Sequence, residues 1–217
     1  MMRWLRPALR RGLVLLALPL LGAFELAAQG GALSRELAPA SFLVAKRDLL
    51  DPNFTHTVIF LAIYDKEGAM GLVLNRPTKI TLGRAFKDQE ESVSREDPVY
   101  VGGPVTPGGV VALLHSESEP EGARKIMGNV YLVTTAEALE NALHAGIGPD
   151  RLRVFSGYSG WGPGQLDREV EMGSWHIFKG SLDAVFDPRP ESLWERFIER
   201  AELRIAWLPF RRFAGGR

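Results

Sequence analysis

Gly157-Tyr158-Ser159-Gly160 sets a serine between glycines, inside a run from Gly157 to Leu166 that holds four glycines and one proline in ten residues. A serine on a sharp strand-to-helix turn is the arrangement of a nucleophile elbow, where the strained backbone exposes Oγ for attack. That elbow requires glycine two residues after the serine, and Trp161 stands there, so no catalytic residue is assigned. The run keeps a capacity to bind. Glycine tolerates positive φ and close backbone approach, and Pro163 is pre-shaped for a first helical turn whose exposed amides can hold an anion or a partner's carboxylate. The same glycines equally let a helix pack closely on a sheet. We read a strand end, a tight turn and a helix start, with Gly157, Tyr158, Trp161 and Gln165 as candidate binding residues. Trp161 is either the lid of a small cleft or a plug beneath the helix, and the plug is preferred.

The other polar groups that could do chemistry lie elsewhere along the chain. The histidines are His56, His115, His144 and His176, and no pair has the i, i+3 or i, i+4 spacing of a shared metal face, so neither a metal nor another cofactor is expected. His115 ends an apolar run, where its ring either faces a cleft or is satisfied by backbone carbonyls. Asn75-Arg76-Pro77 also follows an apolar run. There Arg76 either meets an acidic ligand or makes a structural contact while Asn75 closes the turn, the latter being the commoner case. Gly102 and Gly103 bring backbone amides to a ligand or simply make a turn. A cleft near Asn75, Arg76 and His115 is where a small hydrolase or transferase would work.

Composition narrows the classes. The chain has 217 residues, 46% hydrophobic and 24% charged, and enough length for a sizeable core. Its 26 basic and 26 acidic residues cancel, so the basic footprint that nucleic-acid binding requires is missing. Cysteine is absent, which excludes disulfides and thiolate chemistry. The first residues differ in kind. Arg3, Arg6, Arg10 and Arg11 precede an apolar run, Leu13 to Phe24, and Leu26-Ala27-Ala28 supplies small residues for cleavage, which together read as a secretory signal peptide over 1–28. The apolar run has 12 residues where a membrane span needs about 20, so no permanent span is expected after cleavage. Cleavage after Ala28 removes four arginines and one glutamate from 26 and 26, leaving a formal charge of −3. Residues 29–40 read as a linker, 41–203 as one domain, and 204–217 as a C-terminal tail that docks on its own domain rather than on a membrane.

These groups need elements to position them. Phe42 to Ala45, Thr57 to Tyr64 and Ala69 to Leu74 read as strands, the last two joined by a hairpin at Asp65-Lys66-Glu67-Gly68. Their near-continuous apolar character implies cover on both faces. Thr81 to Lys87 makes a short helix, followed by a charged surface loop from Asp88 to Asp97. Val99 to Val101 and Val110 to His115 form a second hairpin across Gly102-Gly103-Pro104 and Pro107-Gly108-Gly109. Val130 to Val133 leads to a helix capped by Thr134 with Glu137 three residues on. A strand at Leu152 to Ser156, a helix from Pro163 to Met172, a strand at Trp175 to Phe178 and a helix from Pro190 to Leu203 complete the chain. The last helix carries Leu193, Trp194, Phe197, Ile198 and Ala201 at core-facing spacing. Strands in hairpin order predict an α+β fold with a mostly antiparallel sheet.

Phe42-Leu43-Val44-Ala45, Asp51-Pro52-Asn53-Phe54, Thr57-Val58-Ile59 and the run Gly68 to Pro77, followed by Gly102-Gly103-Pro104-Val105, Leu113-Leu114-His115, Trp161-Gly162, Gln165-Leu166, Phe186-Asp187 and Trp194, resemble the YqgE/AlgH family of bacterial proteins. The likeness runs in order from about 41 to 200. It implies a sheet curled into a flattened pseudo-barrel with flanking helices, and an association with regulation, exopolysaccharide synthesis included, without a defined chemistry. It also implies a cytoplasmic protein, and alanine as the common residue where Ser159 stands. The signal-like segment and the ending Trp207 to Phe213 depart from the family pattern, and the former points instead to an exported or periplasmic protein. The expected function is therefore a non-enzymatic regulatory or binding domain for a protein or a small anionic ligand, the alternative being the hydrolase or transferase described above. Mass spectrometry of the natively expressed protein is expected to find a mature N-terminus near Gln29; a full-length cytosolic species would overturn the export reading.

Overall fold

The computed structural model describes residues 33–34, 36–87 and 94–207. The expected signal peptide, part of the linker and most of the tail lie outside them. Strands β1 (Leu33–Ser34), β2 (Ser41–Ala45), β3 (Val58–Asp65), β4 (Gly68–Val73), β5 (Pro77–Thr81), β6 (Pro98–Val101), β7 (Val105–His115), β8 (Ala123–Met127), β9 (Val130–Val133), β10 (Leu152–Trp161) and β11 (Trp175–Lys179) join in a single sheet. Its order is β1-β11-β2-β3-β4-β10-β7-β9-β8, with β5 and β6 branching from β10. Every pairing but that of β6 with β10 is antiparallel. The sheet curls into a half-barrel with a few helices against it, an α+β fold.

Curling gives the sheet two covered faces. Inside, Phe42, Phe60, Phe155, Phe178 and Phe197 form the main core. Outside, Leu114, Val154, Leu139 and Leu143 form a smaller one under α2 (Ala136–His144). β2 and most of β3 are buried without the usual alternation, and successive residues of both strands belong to the main core. Helix α5 (Leu193–Trp207) follows a one-turn 3-10 helix at Pro190–Ser192 and buries Leu193, Trp194, Phe197, Ile198 and Ala201, the face its spacing predicts. Three further short helices lie among the described residues: α1 (Leu82–Ala85), α3 (Gln165–Glu171) and α4 (Leu182–Val185).

Three local expectations are corrected. Gly157 to Trp161 is not a turn but the second half of β10, and Gly157, at φ 70°, makes a bulge between Ser156 and Tyr158. The turn comes later, closed by Gly164 at φ 64°, so α3 begins at Gln165 rather than Pro163. Nor do β6 and β7 form a hairpin: they flank β10 on opposite sides, and the Gly102-Gly103 link between them crosses β10 at Gly157. Two glycine backbones meet there because no side chain would fit. Finally, α2 is capped by Thr135, whose Oγ1 accepts from the Ala138 amide at 3.3 Å, one residue past the expected Thr134.

A Cβ on Gly102 would lie 2.2 Å from the Gly157 carbonyl oxygen, whereas one on Gly162 meets nothing within 4 Å. Gly102→Ala is therefore expected to cost about 1–3 kcal/mol or more, since a backbone must move to admit the methyl. Gly162→Ala should stay within about 0.5 kcal/mol. Urea denaturation of the two variants checks this, and equal losses would refute the crossing.

Candidate functional site

Most of the residues singled out from the sequence are engaged in structural hydrogen bonds. Ser159 is fully buried and its Oγ donates to the Gly102 carbonyl at 3.2 Å. Asn75 accepts from the Val58 amide at 2.9 Å and donates to the His56 carbonyl at 2.8 Å. Arg76 donates to the carbonyls of Asn53 (2.7 Å) and Thr55 (3.1 Å), and burial draws its guanidinium below the ordinary pKa. Asn75 and Arg76 thus hold the 53–56 loop. That loop lays Phe54 on Trp161, ring centroids 5.9 Å apart, and His56 edge-on against Trp194 at 4.2 Å.

The end of β10 beyond the bulge is closed. Trp161 is 5% exposed, and its Nε1 donates to Glu169 Oε2 at 2.9 Å; Trp175 Nε1 donates to the same oxygen at 3.0 Å. Gln165 donates to Glu169 Oε1 at 3.1 Å and accepts from the Gly162 amide at 3.2 Å. The indole is a plug, and the polar groups of the turn satisfy one another. An open hollow of about 560 Å³ alongside is lined by Met70, Val105, Arg124, Tyr158 and Trp161, bringing together two of the expected residues. His115 sits elsewhere. Its amide donates to the Arg151 carbonyl, and it lies near Leu152, at the end of β10 opposite Trp161. Ten residues of strand separate the two ends by about 30 Å, so His115 and Trp161 share no site.

At the Leu152 end lies a larger cleft, about 980 Å³, which none of the expected residues lines. Tyr100, Phe186, Pro77 and Pro190 form its walls with Arg153 and Asp187. Arg153 is 4% exposed. Its Nη2 donates to the Asp187 backbone carbonyl, while Nε and Nη1 are buried without a partner. The guanidinium carbon lies 5.0 Å from the Tyr100 ring centroid, a cation–π contact. The Asp187 carboxylate is engaged elsewhere, by Arg196 at 2.7 Å and the Arg189 amide at 2.8 Å. Arg95 and Asp97 pair with each other at 2.5 Å. Burial lowers the Arg153 pKa and raises that of Tyr100, so the cleft floor offers an underhydrated cation beside a neutral phenol. The available signal in the sequence was a lone arginine within Leu152-Arg153-Val154-Phe155, a strand whose neighbours are buried on both faces.

Among the described residues no three metal-ligating side chains converge, and no helix is long and apolar enough to cross a membrane. The AlgH-like family profile matches residues 42–206. A UPF0301 protein of Streptomyces coelicolor is 38% identical over 168 residues, covering 73% of this chain and 83% of its own length. One from Myxococcus xanthus is 37% identical over 166 residues, covering 74% and 88%. The solution structure of AlgH from Pseudomonas aeruginosa superposes with a TM-score of 0.61 at 27% identity, over 84% of this chain and 98% of that one. A crystal structure from Corynebacterium diphtheriae gives 0.64 at 21% identity over 76% and 87%, a likeness of fold alone.

Glu169 tests the closed end. Glu169→Ala leaves two indole N–H groups without their acceptor and is expected to cost about 1–3 kcal/mol for each that stays dry. Denaturation followed by tryptophan fluorescence measures it; an unchanged midpoint and spectrum would show that the shared carboxylate does not hold Trp161 in place.

Proposed function

The chain belongs to the AlgH-like family, and we propose that it is a non-enzymatic binding domain in a regulatory role, taking a small anionic ligand in the cleft over Arg153. The observation that carries this is the unmatched guanidinium on the cleft floor. A buried cation without a directly paired carboxylate costs several kcal/mol in desolvation, and each unmade hydrogen bond adds about 1–3 kcal/mol. An incoming anion would meet both costs at once, being attracted to the charge and accepting from Nε and Nη1. Carboxylate and phosphate oxygens are the acceptors that suit a guanidinium. The cleft volume of about 980 Å³ lies at the upper end of the range for small-molecule sites, and Tyr100, Phe186 and several prolines give it the apolar walls typical of them.

No observation favours the hydrolase or transferase alternative, whose Asn75 and Arg76 are engaged with the 53–56 loop. Export through residues 1–28 belongs to the same proposal and would place the cleft outside the cytoplasm.

A ligand that binds only the folded state stabilises it by about 2.7 kcal/mol at a concentration 100 times its dissociation constant. Thermal unfolding against caproate, benzoate and inorganic phosphate is expected to show such a rise for at least one of them, and Arg153→Met should abolish it. The variant should fold, and be at least as stable as the parent without ligand, because a buried unpaired charge has been replaced by an apolar side chain of similar length. No stabilisation by any of the three, or equal stabilisation in the variant, would overturn the proposal.

A further inference from the structure

The mouth of the Arg153 cleft has the opposite sign from its floor. Of its acidic residues, Asp97 and Asp187 are paired with Arg95 and Arg196, but Glu96, Asp150 and Glu191 are exposed and form no ion pair among the described residues. Arg153 and the paired Arg95 are the only cations among the described residues that line the cleft. An anion reaching Arg153 therefore passes three uncompensated carboxylates. Repulsion from them acts on every negative charge the ligand carries, and most strongly on a dianion such as phosphate. The walls between mouth and floor are apolar, with Tyr100, Phe186, Pro98, Pro149 and Pro190 among them, so they suit a hydrocarbon stem. Glu191 is close enough for its charge to act on the Arg153 guanidinium, so floor and mouth are within reach of one small molecule.

We propose that the cleft takes a zwitterion of the amino-acid class, its carboxylate seated on Arg153 Nε and Nη1 and its cationic group facing Asp150 and Glu191. This rests on the anion-binding reading above and adds the charge at the other end of the ligand. Complementary charge at both ends sets orientation and rejects simple anions, which lack a group to offset the rim, and simple cations, which leave Arg153 unmatched.

Three probes with the same six-carbon chain separate the possibilities: caproate, aminocaproate and hexylamine, titrated calorimetrically into the full chain. Aminocaproate is expected to bind at least about fivefold more tightly than caproate, the size of one or two screened charge contacts, and hexylamine not measurably. The double variant Asp150→Asn with Glu191→Gln changes two exposed side chains and should bring aminocaproate down to caproate while leaving caproate no weaker. Arg153→Met should lose both. Caproate binding as tightly as aminocaproate, or an advantage that survives the double variant, overturns the zwitterion while leaving the anion site standing. If no carboxylate binds, or if Arg153→Met binds them as well as the parent does, the anion site falls and the zwitterion with it.

Discussion

The crossing of two backbones at Gly157 is the contact on which the rest of the half-barrel depends. The link from β6 to β7 passes over β10 there, with the Gly102 amide donating to the Ser156 carbonyl and the Gly102 carbonyl accepting from both the Val73 amide and Ser159 Oγ. Side chains on either strand would force the backbones apart, since a Cβ on Gly157 would lie 2.7 Å from the Gly103 oxygen. Once they touch, the bulge bends β10: β7 follows one edge as far as Tyr158, while on the other edge β6 before Gly157 gives way to β4 after it. One strand thereby belongs to both halves of the sheet, and its ends are given different surroundings. The Trp161 end is folded shut against Phe54, Trp175 and Glu169, and the Leu152 end opens onto Arg153.

The two ends also differ in how their polar groups are treated. At the closed end one carboxylate receives two indoles and an amide, so every donor brought there has an acceptor. At the open end Asp97 and Asp187 are matched to other arginines, and Arg153 is left with one carbonyl and an aromatic face. Replacing a buried ion by packed hydrophobic residues is often neutral or stabilising, so stability alone does not explain a lone guanidinium buried against Tyr100. Perturbed, poorly matched charges in concave sites are more often tied to function. That asymmetry directs attention to Arg153 rather than to Ser159 or His115, whose chemistry looked richer in the sequence.

What the sequence made legible was whatever depends on near neighbours or on burial on both faces. Phe42 to Ala45 and Val58 to Tyr64 announce themselves as buried strands, and the face of α5 from Leu193 to Ala201 follows from its spacing. The short strands β5 and β8 did not, because Thr78, Lys79, Arg124 and Lys125 give them polar edge character that reads as loop. The Gly-rich run was misread for a different reason. A glycine that permits a turn and a glycine that permits another backbone to cross have the same local signature, and the crossing partner lies some fifty residues away at Gly102. The candidate set inherited that error. Asn75, Arg76 and Gly102 were singled out as candidate binding residues, and what the structure shows them doing is holding backbone carbonyls and amides in place. Arg153 carried no motif at all, since only the curled sheet shows that both faces of its strand are covered.

The surroundings of Arg153 also bear on how occupancy would be communicated. Its Nη2 holds the Asp187 carbonyl, and the Asp187 carboxylate holds Arg196 on α5 and the Arg189 amide in the link before it. Arg196 in turn donates to the carbonyls of Arg189 and Ser192. A guanidinium drawn toward a ligand through Nε and Nη1 therefore pulls on the peptide that anchors the start of α5. Such a chain of contacts transmits a signal only if its far end has two arrangements of similar energy. The start of α5 is the element these contacts reach, whereas the closed end, where Trp161 packs against Phe54 and Trp175, shares none of them. Regulation by a bound anion would on this argument be read out through α5, the element that leads into the part of the chain where the family pattern ends.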